Sequence, residues 1–286
     1  MSDRLDTLLR PLTGTHEEVI RSDGARLNVL VAGDGPTVLL VHGYGASVSE
    51  WSVVQPQLLQ SGYRVLAYDH RGHGRSTIGR QGLTASALFS DLEAVINHYQ
   101  VENTILVGHS MGTFTCLGAL ARGRINQRVD HLVLISTETG DIYRGSPGAK
   151  FMAPIVRSRA AAALIRQEPI GRYLAKRLTG PAPDDAVFEM TRRLLVEMPR
   201  DVGPLLDVMA AYSVEPGLPD IAPLPVTMLW GTHDRISPRW HTDVVARALN
   251  ARLEILQGVG HMVNWEAPQA IFQAIVSATA LAKEQP

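Results

Sequence analysis

Short apolar runs alternate with stretches of helical periodicity along most of this chain, and that alternation restricts the fold more than any other feature. Residues 38–41, 63–68, 104–107, 129–136, 226–230 and 252–256 are apolar runs of strand length. Between and after them, residues 51–59, 84–99, 111–122, 239–249 and 268–282 carry apolar side chains at helical spacing. Strands separated by helices of that length need crossover connections, which make neighbouring strands parallel. Near the N-terminus, residues 18–21 and 27–31 flank Ser22-Asp23-Gly24-Ala25, a turn-forming group, and read as a hairpin. The expected fold class is therefore α/β, a mostly parallel central β-sheet flanked by helices.

One long interval breaks the alternation. Residues 139–217 are far too many for a simple connection and read as an inserted helical cap. Asp184 or Asp185 is placed to cap a helix carrying Val187, Phe188, Met190, Thr191, Leu194 and Leu195 near one face, and Asp201 to start another with Leu205, Leu206, Val208, Met209 and Tyr212. Earlier pieces carry Phe151, Met152, Ile155, Val156, Leu164, Ile165, Ile170 and Leu174, and Pro154, Pro169, Pro181 and Pro199 divide the insert into short helices. The expected organisation is a core over 1–138, a cap over 139–217, and the rest of the core over 218–286.

Composition narrows the class of partner. The 286 residues, 45% of them hydrophobic, suffice for a sizeable core. A formal net charge of -1 provides no field to steer nucleic acid or an anionic membrane. Cys116 is the single cysteine, so no intrachain disulfide forms, and its place in a helix makes it a core residue. Residues 1–14 are polar and mixed, unlike a secretion signal, and no run of about 18 uncharged apolar residues occurs. The expectation is a cytoplasmic protein without an integral membrane segment.

Chemistry concentrates in the loops that follow strands. Gly108-His109-Ser110-Met111-Gly112 runs from the strand at 104–107 directly into a helix. Such a sharp turn leaves the serine at a strained corner with its hydroxyl exposed, which makes Ser110 the candidate nucleophile. A hydroxyl needs a base, and the base needs an acid to orient it. Of ten histidines, His261 stands in a glycine-bearing loop after the strand at 252–256 and is the candidate base. Asp234 follows the strand at 226–230 and is the candidate acid, with Glu138 and Asp243 as rivals; its bland role is to cap the helix near Pro238 or pair with Arg235.

The backbone N–H groups of Tyr44, in the loop after the strand at 38–41, and of Met111, next to the nucleophile, are the expected oxyanion donors. The Tyr44 hydroxyl is a further donor candidate, and His42 is expected to hold its own loop by local hydrogen bonds. Trp51, Trp230 and Trp265 are expected to pack beneath the loops. No cofactor or metal is expected: His70 and His73 share a loop without the carboxylate or thiol spacing that would complete a metal site.

On these residues the chain resembles the α/β-hydrolase superfamily, and specifically its serine esterase/lipase-like members with a helical cap, over nearly its whole length. The matching features are His42-Gly43 after the third strand, Asp69-His70-Arg71-Gly72-His73-Gly74-Arg75-Ser76 after the fourth, the elbow at Ser110, Asp234 after the seventh and Gly260-His261 after the eighth. The order serine, acid, histidine is the family's. The resemblance implies the α/β-hydrolase fold and makes Asp69 and Arg71 structural.

Apolar cap side chains above the serine favour a small hydrophobic ester, cleaved through an acyl-enzyme. Serine at the elbow, where epoxide hydrolases and haloalkane dehalogenases of the superfamily use aspartate, argues against both. Carbon-carbon bond hydrolases of meta-cleavage products, cofactor-free haloperoxidases or perhydrolases, and lactonases keep the same three residues and stay open. A non-enzymatic ligand-binding receptor on the same scaffold is the alternative from another class.

Overall fold

The computed structural model describes residues 2–144 and 167–284. Phe151, Met152, Pro154, Ile155, Val156, Leu164 and Ile165, on which the first part of the expected cap was built, lie outside the described residues.

Eight strands form one sheet: β1 (Thr15–Ile20), β2 (Arg26–Ala32), β3 (Thr37–Val41), β4 (Arg64–Tyr68), β5 (Thr104–His109), β6 (Val129–Ile135), β7 (Val226–Gly231) and β8 (Arg252–Leu256), in the order β1-β2-β4-β3-β5-β6-β7-β8. The β1–β2 and β2–β4 pairs are antiparallel, and β3 to β8 are parallel to their neighbours and to β4. The expected hairpin and the mostly parallel sheet are both present. From β3 the chain crosses to β4 on one side and then returns to β5 on the other. The strand order therefore reverses between β3 and β5, and the crevice at such a switch point is where open α/β sheets bind ligands.

Alternate side chains of the parallel strands enter two cores, because successive Cβ atoms point to opposite faces. Leu39, Val41, Leu106, Leu132 and Leu134 pack with α3 (Ala85–His98), α4 (Met111–Ala121) and Val245 of a later helix, α8 (Arg239–Ala248). Val38, Leu40, Ile105, Val107, Val133 and Ile135 pack with α2 (Val54–Gln60) and with α10 (Pro268–Glu284). Thr84 starts α3 by accepting the Ala87 amide at 3.1 Å. Cys116 is fully buried in α4. No described helix is long and apolar enough to cross a membrane.

Between β6 and β7 the described insert contains α5 (Glu168–Leu178), α6 (Asp185–Glu197) and α7 (Pro204–Ala211). Asp184 caps α6 through the Ala186 amide at 2.8 Å, as its position in sequence suggests. The start and end of the insert meet: Val214 donates to Thr139 O at 2.9 Å and Asp141 to Tyr212 O at 3.1 Å.

Four elements differ from the sequence reading, the first being the helix expected to start at Asp201: Asp201 lies in a 3-10 turn, Arg200–Val202, and α7 begins at Pro204 without a side-chain cap. The helix expected over 51–59 is divided into a 3-10 turn, Val48–Trp51, and α2. A short helix, α9 (Val263–Glu266), stands between His261 and α10. An additional helix, α1 (Ser2–Leu8), packs Leu5 and Leu8 against Ala186, Val187 and Met190 of α6 and against Met262 and Trp265 of the core. So short a helix is held by tertiary packing rather than by its own propensity, and it ties the insert to the core.

Candidate active site

Ser110 occupies the corner between β5 and α4 with φ 51 and ψ −118, a left-handed conformation that non-glycine residues adopt only when their surroundings impose it. Its amide donates to Ile135 O at 3.0 Å, and Thr113 Oγ1 donates to its carbonyl at 2.6 Å. The flanking glycines are required sterically. A Cβ on Gly108 would lie 2.9 Å from Gly112 C and O, and one on Gly112 would collide with the Val41 carbonyl oxygen.

The three residues singled out after separate strands meet at this corner. His261 Nε2 is 3.1 Å from Ser110 Oγ, and His261 Nδ1 is 3.0 Å from each oxygen of Asp234. A carboxylate only accepts, so Nδ1 carries the ring proton and Nε2 faces the serine hydroxyl as an acceptor. Asp234 Oδ1 also accepts the Ile236 and Ser237 amides, each at 2.9 Å. Burial pushes the Asp234 carboxyl up, but the facing His261 and these two amides hold it below the ordinary carboxylate range. Asp234 thus shapes its own loop and orients His261 as well. The rivals are engaged elsewhere: Glu138 Oε1 lies 2.8 Å from His241 Nε2, and Asp243 pairs with Arg239 at 2.7 Å.

The glycines around the His261 loop serve two different close approaches. Gly231, at the end of β7, is the residue whose Cβ would collide with Val259 O, so it lets the Asp234 and His261 loops run together. Gly260 instead abuts the insert at Thr179 and Gly180. There the free carbonyl of Leu178, at the end of α5, accepts the His261 amide at 2.7 Å, and Glu266 accepts the amides of Gly180 at 2.7 Å and Gly260 at 3.1 Å.

Met111 follows Ser110 directly at the start of α4, and Tyr44 follows Gly43 in the β3 loop. A Cβ on Gly43 would lie 3.3 Å from Ser110 Cβ, which shows how closely the β3 loop approaches the elbow. Among the described residues neither the Tyr44 nor the Met111 amide donates to a protein acceptor. Burial, and then Tyr143, push the Tyr44 hydroxyl up to about 12, so it remains a neutral phenol.

Three buried histidines hold this loop, each fixed as one neutral tautomer by its partners. His42 Nδ1 donates to Gly43 O at 2.7 Å and its Nε2 accepts the His70 amide at 3.0 Å. His70 Nε2 donates to His42 O at 3.1 Å, and His73 Nδ1 donates to Arg71 O at 3.2 Å while its Nε2 accepts the Gly45 amide at 3.1 Å. Asp69 accepts the Val48 and Arg75 amides at 2.8 and 2.9 Å, and Arg71 is buried against Asp91 at 2.6 Å, the structural roles expected of them.

Burial holds His42, His70 and His73 below the ordinary histidine range, His73 at about 3, and does the same to His131 at about 4. In the unfolded chain each returns to about 6.5 and binds a proton that the folded state refuses. The stability that these four histidines contribute is therefore complete above about pH 6.5 and falls as the pH drops, at about 1.4 kcal/mol per pH unit for each. His109, raised by Glu50 against the opposing effect of burial, is charged in both states below pH 6 and adds no slope there. Urea titrations are expected to show the midpoint dropping from pH 7 to pH 5; an unchanged midpoint would refute neutral burial.

Two residues given no role by sequence reading lie directly beneath the site. Glu50 Oε1 is 2.8 Å from His109 Nδ1, and both side chains are buried. Glu50 Oε2 accepts the Gly43 amide at 3.0 Å, and His109 Nε2 donates to His261 O at 3.0 Å. Trp265 Nε1 donates to Glu50 O at 3.1 Å, and Trp230 Nε1 to Ser237 O at 3.1 Å, so these indoles pack beneath the loops.

The apolar cluster containing Met111 and Phe114 continues into the insert through Val202, Leu205 and Met209, with half-buried Tyr44, Ile142, Met198 and Leu206 packed against it. A Cβ on Gly45 would meet Met198 Cγ at 2.8 Å, so the insert rests on the β3 loop. Two surface clefts of about 430 and 470 Å³ lie elsewhere, lined by none of Ser110, Asp234 and His261.

A family model described as "Alpha/beta hydrolase family" matches residues 38–274. A magnesium-chelatase 30 kDa subunit of Rhodobacter capsulatus is 32% identical over 246 residues, covering 81% of this chain and 82% of the relative. A 2-hydroxy-6-oxononadienedioate/2-hydroxy-6-oxononatrienedioate hydrolase of Cupriavidus pinatubonensis is 28% identical over 256 residues, covering 84% of this chain and 85% of the relative. Among solved structures, an esterase from Exiguobacterium antarcticum superimposes with a TM-score of 0.78 at 21% identity, covering 95% of this chain and all of the esterase, a likeness of fold.

Proposed function

Because the chain belongs to the alpha/beta hydrolase family, we propose that it is a serine hydrolase that cleaves carboxylic esters with a hydrophobic acyl or alcohol part. The observation that carries this reading is the hydrogen-bonded chain Asp234–His261–Ser110, with links of 3.0 and 3.1 Å. His261 Nε2 takes the Ser110 proton as Oγ attacks the ester carbonyl, and Asp234 balances the imidazolium that forms. The Tyr44 and Met111 amides receive the oxyanion. The tetrahedral intermediate expels the alcohol, which leaves with the proton from His261. Water then attacks the acyl-enzyme with His261 again as base, releasing the acid and restoring Ser110.

The preference for apolar substrates is supported by the aliphatic and methionine side chains that run from Met111 into the insert. A charged acyl group brought against them would lose its hydration without a partner. Each buried methylene contributes about 0.8 kcal/mol, about fourfold in kcat/KM. A p-nitrophenyl ester series from acetate to decanoate is therefore expected to show kcat/KM rising over the first several methylenes and then levelling. Activity confined to acetate, or to charged esters, would overturn the substrate class.

A second reading, carbon-carbon bond hydrolysis of a vinylogous diketone acid, is favoured by the similarity to the dienedioate hydrolase. Turnover of such a substrate above the best ester would replace the first reading.

A further inference from the structure

We infer that Glu50 and His109 are positioning residues, a buried pair that sets the oxyanion loop and the base-bearing loop against Ser110; this rests on the serine-hydrolase reading above. A single contact between a buried glutamate and a buried histidine leaves one polar atom of each to be satisfied elsewhere. Here each spends its second polar atom on a different loop of the site. Glu50 Oε2 holds the amide of Gly43, the residue immediately before Tyr44, and so fixes the peptide that leads into the oxyanion donor. His109, whose backbone is the step before the nucleophile, holds the carbonyl of His261 itself, assisted by Ser136 Oγ at 3.3 Å. The Glu50 carbonyl adds the link to Trp265, in the helix that follows the base.

The pair carries charge. A carbonyl only accepts, so His109 Nε2 holds a proton; the Gly43 N–H only donates, so Glu50 Oε2 must accept. An imidazolium facing a carboxylate meets every contact, as does a neutral imidazole whose Nδ1 accepts from a protonated carboxyl, and the attraction between the two charges favours the first. Burial opposes both charges, yet each is stabilised by the other, Glu50 below and His109 above its ordinary value. The rings of His109 and His261 lie 5.0 Å apart, so the pair underlies the base as well as the serine. A buried ion pair is weak evidence for stability, because well-packed apolar residues of the same volume often serve as well. What apolar replacements would not supply is the anchoring of two loops whose placement controls the reaction.

The test is kcat per active site, with sites counted by stoichiometric fluorophosphonate titration, for Glu50→Ala and Glu50→Gln on the ester that wild type hydrolyses best. Glu50→Ala releases the Gly43 amide and is expected to lower kcat per site about 10–100-fold, with KM within about threefold. In Glu50→Gln the amide oxygen accepts from Gly43 and the amide nitrogen donates to neutral His109 Nδ1, so kcat is expected within about fivefold of wild type. If Glu50→Ala does not fold, Glu50→Asp, too short to span both partners, carries the same expectation of reduced kcat at unchanged KM. Unchanged kcat per site in the shortened variants, or glutamine no better than alanine, overturns the inference. Wild type that neither titrates nor hydrolyses overturns instead the serine-hydrolase reading on which it rests.

Discussion

Ser110→Ala is expected to lower kcat on every ester the protein hydrolyses by about 10⁶-fold, with KM and melting temperature close to wild type. The loss is large because the three residues act as one unit: without Oγ, the oriented His261 has no nucleophile to deprotonate. Whatever rate remains comes from binding and from the Tyr44 and Met111 amides acting on a directly attacking water. The fold should tolerate the change. The elbow is held by backbone contacts, the Ser110 amide to Ile135 O and the Ser110 carbonyl to Thr113 Oγ1, which alanine keeps. Only the bond to His261 is lost, and a neutral hydrogen bond contributes about 1 kcal/mol. Steady-state kinetics with a thermal melt check both halves, and activity within tenfold of wild type would show that another group is the nucleophile.

Asp234→Asn is expected to lower kcat about 10⁴-fold without unfolding the chain. The amide oxygen takes over the Ile236 and Ser237 amides that Oδ1 accepts at 2.9 Å, so the loop keeps its shape. The amide nitrogen then faces His261 Nδ1 as a donor, and the ring must move its proton to Nε2. In that tautomer a donor points at Ser110 Oγ, and the base can no longer accept the serine proton. The variant should therefore melt like wild type and also acylate slowly. A loss of less than tenfold would mean that Asp234 does not orient the base, and Glu138 would then need the same substitution.

The candidate site was legible because its chemistry lies in loops that follow strands. Parallel strands expose those loops at one edge of the sheet, so Ser110, Asp234 and His261 could be gathered there without knowledge of the strand order. The strand order itself, and hence the β3/β5 switch point, depends on pairings between runs of similar apolar character, which local pattern does not distinguish. The N-terminal helix α1 was missed because Leu5 and Leu8 are too few for a periodic signal, and the helix is stabilised by an insert far away in sequence.

Glu50 and His109 were missed for a related reason. They are 59 residues apart, and nothing local tells a buried glutamate in a 3-10 turn from a solvated one. The second position of the elbow pentapeptide was the available signal for His109, since it stands between Gly108 and the nucleophile in the strand that carries the elbow. Likewise, only the folded packing distinguishes Gly231, which lets two loops approach, from Gly260, which receives the insert.

Incubating the folded protein with fluorophosphonates of several sizes and mapping the adduct by peptide mass spectrometry addresses the activated serine itself. The expected result is one phosphonyl group per chain, on Ser110, absent from Ser110→Ala and formed much more slowly in Asp234→Asn. A folded, ligand-competent protein that no probe modifies would indicate a binding role for the scaffold, and an adduct on any other residue would contradict the assignment of Ser110 as nucleophile.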